Sequence, residues 1–378
     1  MLVVVVLASM SVHAQAQRSS ALDSIEVGLI TCSPHDEVYS LYGHTALHIR
    51  DLRTGRDYVF NYGVFDYKKP HFVWRFIMGQ TDYMLECISD LQVFCSYYKR
   101  WGSQVKEQIL DLTPTEKARL VSALGVNLQD PVYRYNYFYD NCSTRPRDMI
   151  ERCLEGTVSY ATRGGFEGAT YRQLIHLCTE EHPWAELGND LLLGFRADRK
   201  TTLRERHFLP EFLSWDFGHA TVTRQGEARP LVSRQVILIP QGNQPVKREF
   251  PLSPLACTLI FIIISLAVLA YEMRHGVTLV WWDVLLMLVT GLAGILLFLM
   301  LFSEHPATST NLQILVLNPL ALFFIPAVVK RRKTRWFLIN GIFIFAFLLG
   351  GFIQNYPLEM YFVALCLLLR VLRHRYDK

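Results

Sequence analysis

The sequence predicts an α+β domain outside the cytoplasm, followed by a bundle of five transmembrane helices. Three observations carry that prediction: composition changes abruptly near Pro251, charge divides at the same point, and strand-and-turn patterning is confined to the first part. The chain has 378 residues, 51% apolar and 19% charged. From Ser253 onward there are 10 Lys/Arg against 5 Asp/Glu, a net +5, so the whole-chain +4 leaves about −1 for residues 1–252. A basic surplus within the apolar part reports membrane orientation rather than a nucleic-acid surface. These features exclude a nucleic-acid partner and a wholly soluble protein.

Residues 1–16 read as a signal peptide. The apolar run in MLVVVVLASMSVHAQA is too short to span a bilayer, and small residues suited to cleavage follow at Val12-His13-Ala14 and Ala14-Gln15-Ala16, although no Lys or Arg precedes the run. Residues 17–250 are then expected outside the cytoplasm and residues 251–378 in the membrane. Five apolar stretches approach the length needed to cross a ~30 Å hydrocarbon layer. They are Pro254–Met273, Leu279–Phe302, Leu312–Val329, Trp336–Ile353 and Leu358–Leu372. With the first domain outside, Arg274, the run Lys330–Arg335 and the tail around Arg373 all fall inside. The external loops carry no Lys or Arg, as the positive-inside rule requires.

Asp283 lies near the cytoplasmic start of the second span, which favours a structural partner over a functional one. Ser303-Glu304-His305-Pro306, Asn311 and Asn318-Pro319 gather polar groups on the external side, where a lipid head group would lie. His305, Asn311 and Asn318 are therefore candidate substrate-binding residues, with ordinary loop and cap roles as the alternative.

In the first domain, Leu41–Arg50 and Tyr58–Tyr62 read as strands joined by a turn at Arg53-Thr54-Gly55. Alternation puts His44 and His48 on one face. Thr113, Pro114 and Glu116 announce a helix with a capping box. After the aromatic run Tyr133–Tyr139 comes Asp140-Asn141-Cys142-Ser143-Thr144-Arg145-Pro146-Arg147-Asp148, leading into a helix. A cysteine at that junction is placed for thiolate stabilisation by backbone N–H groups and nearby Arg145 or Arg147. His44 is the candidate base, and Asn61, on the neighbouring strand, the candidate orienter of its ring. The spacing alone leaves a structural disulfide at Cys142 open. No metal-ligand spacing and no phosphate-cradling glycine loop is present, and no cofactor is expected.

The segments YGHTALHIR, VFNYG, YDNCSTRPRD, LLLGFRAD, FLPEFL and SEHPATSTNLQILVLNPL occur in one order across most of the chain. Together they resemble the Bacteroides-type lipoprotein N-acyltransferase family, Lnb. The resemblance implies a circularly permuted papain-like (NlpC/P60-type) periplasmic domain, with the histidine strand before the cysteine helix. It implies Cys142 as nucleophile and His44 as general base. Asn61 would orient the base, and Asn141 and Arg145, within the cysteine motif, would help to bind substrate. Pro146 departs from the aliphatic residue expected there; a helix beginning at Thr144 accommodates it within the first turn. The implied enzyme is an acyltransferase moving a chain from a phospholipid, through a Cys thioester, to the α-amine of a diacylglyceryl-cysteine lipoprotein. The rival readings are a membrane-anchored cysteine peptidase or amidase acting on peptidoglycan and a non-enzymatic membrane scaffold.

Overall fold

The computed structural model of the protein describes residues 22–161, 164–244 and 250–376, so the expected signal segment at 1–16 lies outside the described residues. The chain forms two compact units. Within the described residues, the first comprises 22–72, 81–168 and 201–244, and the second comprises 73–80, 169–200 and 250–376. The composition is mixed: the N-terminal part is rich in strands and the C-terminal part is helical.

The first unit is built on an antiparallel sheet. Its strands are β1 (Ile25–Cys32), β2 (His44–Asp51), β3 (Asp57–Phe65), β4 (Asp82–Ile88), β5 (Val105–Leu110), β6 (Val132–Arg134) and β10 (Val232–Ile239). The spatial order is β10-β5-β1-β2-β3-β4-β6. The expected strand at Leu41–Arg50 starts three residues later than its sequence suggests. Gly43 has φ +74°, and a Cβ there would meet the Cys32 carbonyl oxygen at 2.8 Å. The chain therefore turns at Gly43, and the strand proper begins with His44, opposite Cys32. Between β7 (Thr157–Ser159) and β10, two further strands, β8 (Thr221–Arg224) and β9 (Glu227–Pro230), join β7 in a small second sheet.

Helices cover both faces of the main sheet. On one face Val27, Leu29, Leu47, Ile49 and Tyr62 pack with Leu120 and Leu124 of α3 (Pro114–Gln129), Ile150 of α4 (Thr144–Cys153), and Leu213 and Phe217 of α7 (Pro210–Gly218). On the other, Ile30, Ala46 and Val59 meet Phe94 and Cys95 of α2 (Leu91–Arg100). Each fully buried Leu or Phe contributes about 1.5–3 kcal/mol by leaving water. The α3 start has the capping box that its sequence announces: Thr113 N–H donates to Glu116 Oε2 at 2.8 Å, and Glu116 N–H donates to Thr113 Oγ1 at 3.2 Å.

The second unit contains the short helix α1 (Phe72–Ile77, apart from Phe72 itself), α5 (Tyr171–Thr179) and α6 (Pro183–Leu192). Its C-terminal helices are α8 (Pro254–His275), α9 (Val280–Met300), α10 (Ala321–Val329), α11 (Trp336–Gly350) and α12 (Leu358–Tyr376). Of these, α8 and α9 are long and apolar enough to cross a membrane. The stretch expected as a continuous third span is interrupted. Leu312–Leu315 is a 3-10 turn, and the α-helix begins only at Ala321. Asn318 Oδ1 accepts the Leu320 N–H at 2.9 Å, and Pro319 follows with no N–H to continue a helix through it.

Asp283 has the structural role that its position suggests. It is buried, and it accepts from Arg370 Nε at 2.7 Å and pairs with His374 Nε2 at 2.9 Å, joining α9 to α12. Unpaired charge here would be costly, and the pairing explains why an acid is tolerated among apolar helices.

Candidate active site

The site lies where β2, β3 and the start of α4 converge in the first unit. Three successive residues before the helix each have a separate task. Asn141 is buried; its Oδ1 accepts the N–H groups of Ser143 at 2.8 Å and Thr144 at 2.9 Å, while its Nδ2 donates to the carbonyls of Tyr137 and Phe208. Thr144 Oγ1 in turn accepts the Asn141 N–H at 2.8 Å. This arrangement satisfies helix-start donors that would otherwise be orphaned. The helix starts at Thr144, and Pro146 sits inside its first turn, between Arg145 and Arg147, whose N–H groups donate to the Asn141 and Ser143 carbonyls; proline has no N–H to offer the Cys142 carbonyl between them. Ser143 Oγ meets Thr45 Oγ1 of β2 at 2.8 Å. Cys142, between these anchors, is held against the sheet.

Cys142 is buried, and it hydrogen-bonds the His44 side chain, the Thr45 backbone N–H and the Tyr135 hydroxyl. Burial raises the pKa of this thiol, but the charge of His44 and these three hydrogen bonds outweigh it and hold Cys142 below the ordinary thiol value. Burial likewise opposes a charge on His44. The Cys142 thiolate and the hydrogen bonds that His44 makes to Cys142 and Asn61 reverse that effect, and the imidazole sits above its ordinary value. The two shifts favour a thiolate–imidazolium pair. His44 Nε2 lies 2.6 Å from Asn61 Oδ1 on β3, so the amide oxygen accepts from that ring nitrogen. The ring of Tyr98 from α2 lies nearly parallel to His44, with centroids 6.3 Å apart.

A bulge at Gly63 borders the site. The β3–β4 register shifts between Tyr62 and Val64, and Gly63 has φ +94°. A Cβ on Gly63 would lie 3.4 Å from Cys142 Cβ, 3.7 Å from Tyr135 Cε2 and 4.0 Å from His44 Cε1. Glycine thus leaves space beside all three groups at once. Tyr135 stacks on Tyr83 with centroids 4.2 Å apart, which fixes its hydroxyl toward the sulfur.

Sequence reasoning did not single out Tyr135, the Thr45 N–H or Gly63. A lone glycine within the strand run Tyr58–Phe65 is the one local signal of a bulge.

The remaining expected residues are placed differently. Arg145 forms a two-pronged pair with Asp140, at 2.6 and 2.7 Å, and its guanidinium covers the ring of Tyr133 at 3.5 Å. It lines a polar cleft of about 340 Å³ with Asn127, Tyr139, Asp148, Met149 and Arg152. Asn141, expected to bind substrate, is engaged at every hydrogen-bonding position in fixing the helix start. His305, Asn311 and Asn318 belong to the second unit, and each makes hydrogen bonds within that unit. His305 Nε2 donates to the Phe76 carbonyl at 2.6 Å, with burial pulling its pKa below the ordinary imidazole value. Asn311 donates to the Leu191 carbonyl and accepts from Gln313 N–H and Gln354 Nε2. Asn318 caps Leu320. These hydrogen bonds give all three residues a part in holding the second unit together.

All eight cysteines are free, Cys142 among them. Among the described residues one group of metal-ligand type is found, His176, Glu186 and Asp190 in the second unit. Asp190 Oδ1 already accepts from Arg172 at 2.7 Å and His176 at 2.9 Å, and Arg172 also pairs with Asp198 at 2.7 Å. The group is a buried ion network joining α5, α6 and the following turn.

Comparison with protein families gives two matches: an Lnb N-terminal periplasmic domain over residues 13–176 and an Lnb transmembrane domain over residues 246–378. No curated protein and no solved structure matches the chain.

Proposed function

The chain belongs to the Lnb family, whose domains mark a membrane protein with a periplasmic part and a role of the lipoprotein N-acyltransferase type, and from that premise we propose the following reaction, site and setting. The enzyme works at the bacterial inner membrane, its five C-terminal spans anchoring a permuted papain-like (NlpC/P60-type) catalytic domain in the periplasm. It takes an acyl chain from a phospholipid and passes it to the α-amine of a diacylglyceryl-cysteine lipoprotein. The observation that carries this reading is the hydrogen-bonded series Cys142–His44–Asn61 in a chain of that family.

In the first half-reaction the Cys142 thiolate attacks the ester carbonyl carbon of the phospholipid. As the tetrahedral intermediate collapses, the C–O bond breaks and the His44 imidazolium gives its proton to the departing lysophospholipid oxygen. Cys142 then holds the chain as a thioester. In the second half-reaction the lipoprotein α-amine attacks that carbonyl, neutral His44 accepts the amine proton, and the C–S bond breaks to leave an amide and a thiolate. Splitting the transfer lets two large lipids use one site in turn. Asn61 keeps the imidazole oriented through both halves. The Tyr135 hydroxyl and the Thr45 N–H, both hydrogen-bonded to the sulfur, are the donors assigned to the oxyanion. A donor of that kind lowers the barrier by about 3–4 kcal/mol.

The test is mass spectrometry of the full-length protein reconstituted with phospholipid. The expected result is an acyl adduct on Cys142 that disappears when a diacylglyceryl-cysteine peptide is added, with N-acylated peptide appearing. Absence of the adduct, or cleavage of muropeptides by the same preparation, overturns the assignment.

A further inference from the structure

The insertion between β3 and β4 carries a feature that the reaction above does not require. Helix α1 is only six residues long, FVWRFI, and it follows Lys68, Lys69, Pro70 and His71 in the sequence. Its apolar side chains are not used as a core: Val73 is 69% exposed, Trp74 51% and Phe76 47%. Three large apolar groups exposed on two turns of a short helix are costly in water, and the surrounding sequence is basic rather than acidic.

The second unit explains where these residues stand. The stretch that follows α1 is joined to the chain just beyond the end of α9. Glu304 N–H donates to the Met78 carbonyl at 3.0 Å, and His305 Nε2 donates to the Phe76 carbonyl at 2.6 Å. Gly79 permits the contact, because a Cβ there would sit 2.6 Å from His305 N and 2.9 Å from Glu304 C. Along α9 an exposed apolar stripe runs through Trp281, Leu285, Leu288, Val289, Leu292 and Ile295 toward Phe298. It ends at Phe302, 66% exposed and two residues before Glu304. The stripe of a membrane-spanning helix faces acyl chains, so its external end marks the level at which the bilayer gives way to head groups. Helix α1 is fastened at that level.

We infer that Val73, Trp74 and Phe76 are embedded in the head-group and upper acyl region of the periplasmic leaflet, making α1 an interfacial anchor. The occupant of this surface is phospholipid. Its apolar face continues the lipid-facing stripe of a spanning helix, tryptophan favours that depth, and the cations at Lys68 and Lys69 suit anionic head groups. The anchor is inserted directly into the sequence between β3, which carries Asn61 and Gly63, and β4.

The test places a benzophenone amino acid at position 73, 74 or 76 of the full-length protein. The protein is reconstituted in vesicles of phosphatidylethanolamine and phosphatidylglycerol bearing a clickable acyl chain. Irradiation is expected to yield lipid adducts at all three positions and none at Glu227, on the exposed hairpin of the small sheet. Adducts to protein instead of lipid, or none at positions 73 and 74, overturn the inference. This readout does not depend on turnover, so it separates from the fate of the acyltransferase assignment. As a second arm, Val73→Asp with Trp74→Asp is expected to raise KM for vesicle-borne donor by about tenfold while leaving kcat on a detergent-dispersed short-chain donor unchanged. An unchanged KM for the vesicle-borne donor counts against the anchor.

Discussion

Thr45 and Ser143 meet hydroxyl to hydroxyl at 2.8 Å across a separation of 98 residues, both side chains shut away from solvent. Their immediate neighbours are His44 and Cys142, so this contact sets the distance at which the imidazole and the thiol face each other. Removing either hydroxyl leaves the other buried without its partner, a loss of about 1–3 kcal/mol. A double-mutant cycle of Thr45→Val and Ser143→Ala, read by thermal unfolding, is expected to give a coupling energy of about 1 kcal/mol. Additive effects would show that the contact does not join the two segments.

The charge state of Cys142 has a defined pH signature. Its pKa lies below that of an ordinary thiol, and that of His44 lies above an ordinary imidazole. Both shifts act in the direction of the thiolate–imidazolium pair, so the thiolate forms at lower pH than in an isolated cysteine. Alkylation of Cys142 by iodoacetamide is expected to be fast on the acid side of the ordinary thiol value of about 8.5. In His44→Ala the main opposing charge is gone while burial remains. The alkylation midpoint is then expected above that value, and an unmoved midpoint refutes the pairing.

Asn61→Ala removes the acceptor that steadies the His44 ring. A hydrogen bond to a charged partner contributes about 1.5–3 kcal/mol, which corresponds to roughly 10- to 100-fold in kcat/KM. The steady-state rate of N-acylation measures this, with Cys142 alkylation as a control for an intact thiol. The loss is expected mainly in kcat, because the amide orients the base rather than binding substrate.

Gly63→Ala tests the bulge. A side chain at φ +94° strains the backbone by about 1–3 kcal/mol, and its methyl group would enter the space beside Cys142, Tyr135 and His44. Both thermal stability and turnover are expected to fall. A variant with full activity would show that the space is not used by substrate.

In the second unit, Arg172→Met strands the buried carboxylates of Asp190 and Asp198. Breaking one side of such a network costs about 3–5 kcal/mol. Thermal unfolding in detergent is expected to drop accordingly, and a change below about 1 kcal/mol would contradict a structural role.

The residues that meet in the site differ in how legible they are in sequence. His44 and Asn61 fall on strands that alternation and a Thr-Gly turn reveal, and Cys142 stands before a helix whose start can be read from Ser143, Thr144 and Pro146. Tyr135 and the Thr45 N–H reach the sulfur only through the crossing of distant segments, which no local period encodes. Hydropathy read the stretch from Leu312 to Val329 as continuous, because it weighs the apolar residues and not the interruption at Asn318-Pro319. Helix α1 is not legible in sequence, because six residues are too few to express a helical period. His305, Asn311 and Asn318 were recognised as a polar cluster, yet their engagement with Phe76, Leu191 and Leu320 depends on folding.

The chain leaves its first unit after Phe72, returns at Thr81, leaves again after Gly168 and returns at Thr201 before committing to the C-terminal helices. The polypeptide is thus laced, and a single cut near residue 250 does not excise a cassette. Residues 73–80 and 169–200 would emerge from the ribosome before the helices that complete their surroundings. Their apolar and ionic faces must wait for those helices to be inserted. Maturation of the periplasmic part is in this way tied to membrane integration, and a secreted fragment would carry two orphaned segments.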